Sequence, residues 1–478
     1  MLWLIGSGPV LLHTVVKSVL LLVTAVVALT AGTILLGAKQ REIAAQRDAA
    51  LTARAQADTI SNFLIDDLLG QASPESNERE KKMTVEQLLG RAASRINDSS
   101  RFAEQPAVEA SLRLVIGKTY RSLGEFEKAE PHLRRAVELR RAALEPDHPD
   151  TLAAQEDLAT LLSLDLRQPD LTLNHDTWQA RVRVLGAEDE RTLDSMDSYG
   201  TALNIAGRRE EAEPIMRDCL QILRRVQGEN GVLTLQTKNN LGTLLNATGK
   251  WDEAEPLLAD ALEQRRRKIG MGSIETMATL NNLCVARLML GKKLPEVESL
   301  VREGIDSMQR THGEKHPYTL HLQFVLSRAL LEQGQFDKAE KLGRQVLTDR
   351  LEVLPRGHES IGQSQLTLGR TLVQQSKAAD AEPLLRKALE LFRERYAGKR
   401  ELSAEAEDWL GASLMLQKRY PDAESLLLNA HKVLSVHPSV SPRQRDACLG
   451  HVIQLYESWD RRDDAAAWRA KRDKKPAE

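Results

Sequence analysis

The pattern of apolar and polar positions changes character three times along the chain. Ser18 to Ala38 contains no charged residue, and Val19–Leu29 within it is almost wholly apolar. Twenty-one helical residues at ~1.5 Å each reach about 31 Å, close to the thickness of a bilayer's hydrocarbon core. The segment therefore predicts a membrane-spanning helix, with Lys17 and Lys39 able to reach the headgroups at either end and Trp3 suited to an interface. A cleaved signal peptide is the competing reading. The long leader with a single Lys, the overlong apolar core and the lack of an Ala-x-Ala site favour an uncleaved anchor. Lys39 to Leu69 then lacks Gly and Pro and predicts a juxtamembrane helix. Ile43, Ala50, Ala57 and Leu64 recur at heptad spacing with Ala53 and Ile60 beside them, but Gln46 and Asp67 break the seam. It reads first as a solvated helix and second as a weak coiled-coil homodimer. Gln71–Asn77 is turn-rich, and Thr84 with Gln87 makes a capping box that opens a helix to about Asn97.

From Val108 onward the pattern repeats. Gly124-Glu-Phe-Glu-Lys-Ala-Glu-Pro131 returns as Gly207-Arg-Arg-Glu-Glu-Ala-Glu-Pro214, as Gly249-Lys-Trp-Asp-Glu-Ala-Glu-Pro256 and as Gly334-Gln-Phe-Asp-Lys-Ala-Glu-Lys341. The register residue falls at Ala129, Ala212, Ala254, Val297, Ala339, Ala381, Ala423 and Ala465. After a first gap of two periods, with one copy eroded near Leu171, the spacing holds at 42 or 43 residues. Each unit predicts a helical hairpin: one amphipathic run such as Leu235–Ala247, a Gly turn, and a second run such as Trp251–Arg267. Gly117, Gly200, Gly242, Cys284, Ser327, Gly369 and Gly411 precede the turns by a constant interval, and small residues there let paired helices approach closely. Pro131, Pro214, Pro256 and Pro383 are expected in the first turn of the second helix. Gly291-Lys-Lys-Leu-Pro-Glu-Val297 carries one extra turn residue.

This small-residue, Gly-turn, Ala pattern resembles the tetratricopeptide repeat, and its length and His-Pro-x-Thr-Leu entries resemble the kinesin light chain variety. The residues that carry the likeness are Asp147-His-Pro-Asp-Thr-Leu152, Lys315-His-Pro-Tyr-Thr-Leu320, Asn239-Asn-Leu241 and Asn281-Asn-Leu283. The resemblance implies an all-α, right-handed α-solenoid of about nine hairpins, the last truncated, whose first helices line a concave groove. A second likeness joins Phe63–Leu69, Met83–Leu89 and Gln105–Ala110 to the segment between anchor and repeats in bacterial receptor-type Ser/Thr kinases. The 17 residues before the span leave no room for a kinase domain, which is expected to be missing. The expected division is a flank (1–17), a spanning helix (18–38), a juxtamembrane helix (39–70), a linker and capping helix (71–107), the repeat array (108–469) and a basic tail (470–478).

Composition sharpens this picture. With 66 basic against 68 acidic residues there is no global attraction to nucleic acid. Aromatics are only 4 % of a chain that is 42 % hydrophobic, as small-residue helix packing requires. Cys219, Cys284 and Cys448 lie far apart, read as packing residues, and offer neither a disulfide framework nor metal-ligand spacing. His312, His316 and His321 cluster, but His316 stands where His148 recurs in the repeat and reads as a turn residue. Glu211, Glu213, Glu253 and Glu255 begin second helices, where the helix dipole favours carboxylates. No catalytic, cofactor or metal constellation is expected, and the chain is expected not to be an enzyme.

Function then rests on the groove. By analogy with the family, the inward stripe would hold Asp197, Thr201, Asn204, Gln236, Asn239, Thr243, Asn246, Asn281, His321, Arg328 and Arg370. Amides there offer donor and acceptor to the backbone of an extended peptide, and Arg328 and Arg370 suit a carboxylate. The expected function is a membrane-anchored scaffold or sensor for a protein or peptide partner. The alternative is a non-catalytic regulatory part of a Ser/Thr kinase system. Lys39, Arg41, Arg47 and Arg54 outnumber Lys17 and place the repeats in the cytoplasm, whereas the kinase analogy places them outside the membrane.

Overall fold

The computed structural model describes Lys39, Thr84–Asp98, Phe102, Gln105–Asp165 and Gln168–Asp473. The spanning segment, the heptad seam and the last residues of the basic tail lie outside the described residues. Among the described residues no helix is long and apolar enough to cross a membrane, and the regular structure is helical throughout.

The chain divides into two compact units at Leu161 and Leu162. The division falls in the stretch where the sequence repeat is eroded. The first unit contains α1 (Val85–Asp98), α2 (Pro106–Ser122), α3 (Phe126–Ala143) and α4 (Pro149–Thr160). Its opening capping box forms as expected, with Thr84 N donating to Gln87 Oε1 at 2.9 Å and Gln87 N to Thr84 Oγ1 at 3.2 Å.

The second unit begins with α5 (Leu171–Leu185) and continues as seven hairpins. They are α6 (Glu190–Ile205) with α7 (Arg209–Gln227), α8 (Val232–Ala247) with α9 (Trp251–Ile269), α10 (Ile274–Leu290) with α11 (Leu294–His312), and α12 (Pro317–Glu332) with α13 (Phe336–Val353). The last three are α14 (Glu359–Gln374) with α15 (Ala378–Arg395), α16 (Arg400–Leu416) with α17 (Tyr420–Leu434), and α18 (Pro442–Ser458) with α19 (Arg462–Asp473). Ala470–Asp473, assigned to the basic tail from sequence, complete α19.

The hairpins close on size-matched pairs. A Cβ on Gly200 would lie 2.7 Å from Met216, and on Gly242, Gly369 or Gly411 it would lie 2.6 Å from Leu258, Leu385 or Leu427. Gly117 faces Leu133 in the same way in the first unit. The α12–α13 hairpin inverts the sizes: Ser327 is the small residue of the first helix and Gly343 stands at the register of those leucines. The turns need a left-handed residue, supplied by Gly207, Gly249, Gly291 and Gly334 at φ of 62 to 82° and, in the last three hairpins, by Ser376, Lys418 and Asp460.

One expectation is corrected. Pro131, Pro214, Pro256 and Pro383 lie inside their helices, not in the first turn, because each helix starts five residues earlier. The turn residue already turns the chain, so the helix begins before the proline, which leaves one carbonyl of the first turn without its usual donor.

Neighbouring hairpins are tied by two devices with regular spacing. In five hairpins of the second unit the Glu after the register Ala bonds the basic residue of the next hairpin's turn: Glu213 with Lys250 at 2.9 Å, Glu255 with Lys293 at 3.0 Å, Glu340 with Lys377 at 2.6 Å, Glu382 with Arg419 at 3.0 Å and Glu424 with Arg461 at 2.7 Å. Beyond the helix-dipole placement that the sequence predicts for Glu213 and Glu255, their position also serves the next repeat. The second device is a buried arginine in the last part of α5, α9 and α13. Arg181, Arg265 and Arg350 each donate to a first-turn carbonyl of the following helix and to the hydroxyl of Ser195, Thr279 or Ser364 at 2.7 to 2.9 Å. These bonds satisfy groups that burial would otherwise leave costly.

Candidate functional site

In the second unit, the first helices of successive hairpins touch one another from α6 through α18, whereas the second helices have no comparable contact. The first helices therefore lie on the inner, tighter side of the curve.

Their entry is fixed by capping side chains. His316 Nδ1 accepts from Tyr318 N at 3.3 Å and His358 Nδ1 from Ser360 N at 3.2 Å, while Asp189 and Ser273 cap α6 and α10. An accepting Nδ1 must be unprotonated, and burial together with neighbouring His312 lowers the His316 pKa accordingly. The histidine cluster is thus three separate parts: His316 caps, His312 packs on its ring at 4.9 Å, and His321 bonds Asn281. Among the described residues no group of three or more His, Cys, Asp or Glu is placed to hold a metal ion. All three cysteines are buried, and burial pushes the Cys284 thiol up to about 12.

The amide ladder lies on the inner helices, but it is half-buried and largely bonded to itself. Asn240 and Gln236 donate to Asp197 Oδ2 at 2.7 and 3.4 Å. Asn282 donates to Asn239 Oδ1 at 3.0 Å and to Thr243 Oγ1 at 2.8 Å, and Asn246 donates to the Asn282 carbonyl at 2.9 Å. His321 Nε2 donates to Asn281 Oδ1 at 2.7 Å. The rungs therefore stitch α6, α8, α10 and α12 together, where the sequence suggested exposed groups free for a partner. Unpaired capacity remains at Asn246 Oδ1 and Thr201 Oγ1, and Asn204 is half-buried nearby. A cavity of about 310 Å³ opens beside the last rung, between Met277, Asn281, Tyr318, His321, Arg350 and His358.

Arg328 and Arg370 are brought together in a different place, a cavity of about 360 Å³ farther along the inner face. Leu288, Met289, Phe324, Leu366, Leu402 and Trp409 give it apolar walls. Arg370 Nη2 bonds Glu332 at 2.5 Å and its guanidinium lies over the Trp409 ring at 5.1 Å, while its buried Nε has no partner. Arg328 rests against Phe324, with its Cζ 5.9 Å from the ring centroid. Behind Trp409, His451 Nδ1 donates to Asp408 at 3.0 Å, and that carboxylate raises the imidazole pKa although burial opposes it.

Sequence reasoning missed the roof of this cavity. The connection between α17 and α18 returns over the inner face, so that Ser439, Val440, Ser441 and Gln444 line the cavity. A side chain on Gly249 would strike the Pro438 carbonyl, and one on Gly291 would overlap the guanidinium of Arg443, which also pairs with Glu332 at 3.5 Å. The only local sign was Ser441 with Gln444, whose capping box starts α18.

The tetratricopeptide repeat pattern matches residues 108–170, 189–267 and 275–352 in one form and 366–434 in another, together more than half of the chain. These matches begin downstream of the 63–69 and 83–89 stretches that suggested a receptor kinase. No curated protein matches. Among solved structures, a Rap protein complexed with Competence and Sporulation Factor is similar with a TM-score of 0.53 at 10 % identity, covering 76 % of this chain and 96 % of that one. The Podosopora anserina putative kinesin light chain with nearly identical TPR-like repeats gives 0.37 at 22 % identity, covering 42 % and 97 %. BtubC (BKLC) from P. vanneervenii gives 0.39 at 17 %, covering 46 % and 89 %. The repeated hairpins, their small-residue closures and the repeat-pattern matches over more than half of the chain lead to one statement: the chain belongs to the tetratricopeptide repeat family, a helical scaffold for protein–protein interaction.

Proposed function

We propose that this protein is a membrane-anchored scaffold that captures a peptide segment of a partner on the inner face of its second unit. The observation that carries the reading is the roofed cavity, where apolar walls and the Arg328 and Arg370 guanidinium groups converge on the side of the array that the first helices line. Concave, mostly apolar surfaces with a few fixed polar groups are where proteins bind ligands. The Rap protein of this fold, complexed with Competence and Sporulation Factor, supports an array of this kind holding a second molecule. The anchor is segment 18–38, and the basic residues that follow it assign the repeats to the cytoplasmic side.

The test places a photo-crosslinking amino acid at Thr367, which lines the cavity, or at Lys387, exposed on second helix α15. Irradiation of cells is expected to join a defined segment of one partner to position 367 and not to position 387. Equal capture from both positions, or none from 367, overturns the reading. Protease treatment of intact cells checks the side of the membrane, since cytoplasmic repeats stay protected.

A further inference from the structure

The roofed cavity contains a cation with no direct partner and an anion whose ion pair is long and shared. Among the described residues Arg328 has neither a hydrogen bond nor an ion pair. Glu405, on α16, has its nearest cation at 4.0 Å, and that group is Arg370, already bonded to Glu332 at 2.5 Å. Arg328 and Glu405 attract one another across the cavity without touching. Burial, with like charges from Arg370 beside the arginine and from Asp408 and Glu332 beside the carboxyl, pushes the arginine down and the carboxyl up, and the opposite charges nearby do not offset it. An uncompensated charge in such a site is costly, and a ligand that supplies the missing partner recovers that cost on binding.

The balance of charge selects the ligand. Three cationic side chains line the cavity, Arg328, Arg370 and Arg443, against four acidic ones, Glu332, Glu401, Glu405 and Asp408. A simple anion would meet Arg328 but also a surplus of carboxylates, and a simple cation would leave Arg328 unpaired. An occupant with both signs satisfies both groups. About 360 Å³ with Phe324, Leu366 and Trp409 as walls suits a body of one to two amino-acid residues.

Resting on the peptide-capture reading, we infer that the cavity takes a dipolar ligand: a carboxylate set against Arg328, an ammonium or guanidinium against Glu405, and an apolar portion between Phe324 and Trp409. Two sources carry this chemistry, a short free peptide and the C-terminal end of a protein chain with a basic side chain. Arg443, seated on Gly291 and paired with Glu332, holds the roof over the bound end.

The test is calorimetric titration of the full chain with the dipeptide Leu-Lys, its C-terminal amide and its Nε-acetyl form, and with decapeptides ending in the same two residues in the same three forms. Amidation and acetylation are each expected to weaken binding at least about tenfold. Arg328→Gln should abolish the preference for free acid over amide while keeping the preference for lysine over acetyl-lysine, and Glu405→Gln should do the reverse. Arg328→Lys should keep the acid preference. Since Arg328 has no hydrogen bond or ion pair and Glu405 only a 4.0 Å ion pair with Arg370, the glutamine variants are expected to melt no lower than the wild type. Tight binding of the dipeptide identifies a free-peptide ligand, and binding of the decapeptide alone identifies a chain end. Equal binding of acid and amide, a preference that survives Arg328→Gln, or no heat with any probe up to about 10 mM overturns the inference. A segment crosslinked at position 367 whose affinity is indifferent to both charges would leave the capture reading standing and this inference refuted.

Discussion

Replacing Gly242 by Ala sets two effects of opposite sign against each other. In an exposed helix interior Ala is worth ~1 kcal/mol more than Gly. At Gly242 the new Cβ would lie 2.6 Å from Leu258 Cγ and Cδ2 and 3.0 Å from Cδ1. Leu258 is fully buried and has no room to turn away, so overpacking of ~1–3 kcal/mol applies in its upper range. The net expectation is a loss of about 1–2 kcal/mol. Gly450, in α18, is the matched control: a Cβ there meets nothing within 4 Å, so Gly450→Ala should gain up to ~1 kcal/mol. Leu258→Ala alone should cost ~2–5 kcal/mol by leaving a cavity, but combined with Gly242→Ala it should cost less than the sum, with a coupling above ~1 kcal/mol. Urea unfolding followed by circular dichroism measures the four variants, and amide hydrogen exchange in α8 and α9 assigns the change to that hairpin. A Gly242→Ala protein as stable as Gly450→Ala, or strict additivity with Leu258→Ala, would refute the close-approach account of the small residues.

Three further outcomes follow from the same geometry. Burial, aided by Arg113, lowers the His132 pKa to about 4; its stabilisation is therefore complete above the unfolded value near 6.5 and is lost as pH falls from there towards 4. His132→Phe should flatten that acid loss in the first unit by up to about 3 kcal/mol, and an unchanged pH profile of melting would contradict it. Glu255 holds the buried Arg287 and the turn residue Lys293 at once, so Glu255→Ala should cost ~1–3 kcal/mol, whereas Arg302→Ala, which breaks an exposed pair with Glu298, should change urea stability by less than ~0.5 kcal/mol. Arg443→Ala removes the contact of the roof with Gly291 and Glu332, and faster amide exchange in Val436–Ser441 should result without any change in α6 or α7.

The repeat itself was open to reading because its signals are local and strictly spaced. A Gly such as Gly249 at positive φ and a small residue such as Gly242 facing Leu258 each follow from a rule that acts within one hairpin. Pro256 misled because proline favours the first helical turn in general, while here Gly249 ends the turn earlier and Trp251 starts the helix. The arginine staples hid for another reason. Arg181, Arg265 and Arg350 occur in every second hairpin, and Leu223 and Met308 fill the equivalent positions between them, so the period of the sequence does not display them. The amide ladder was placed on the right helices, yet which amides pair with one another depends on how α8 and α10 lie side by side. The roof over Arg328 had no periodic signature, since Arg443 meets Glu332 across 111 residues. Arg328 and Arg370 themselves were found from the stripe, whereas Glu405 and Trp409 were not, because only the fold brings α12, α14 and α16 around one cavity.

The central claim is that partners are held in the roofed cavity of the inner face. Thr367→Trp fills that cavity from α14, and Lys387→Trp adds the same ring to the outer face. Equilibrium binding of the segment captured at position 367 should fall at least about tenfold for Thr367→Trp, with helical content and melting as in Lys387→Trp. Wild-type affinity in Thr367→Trp would contradict the account.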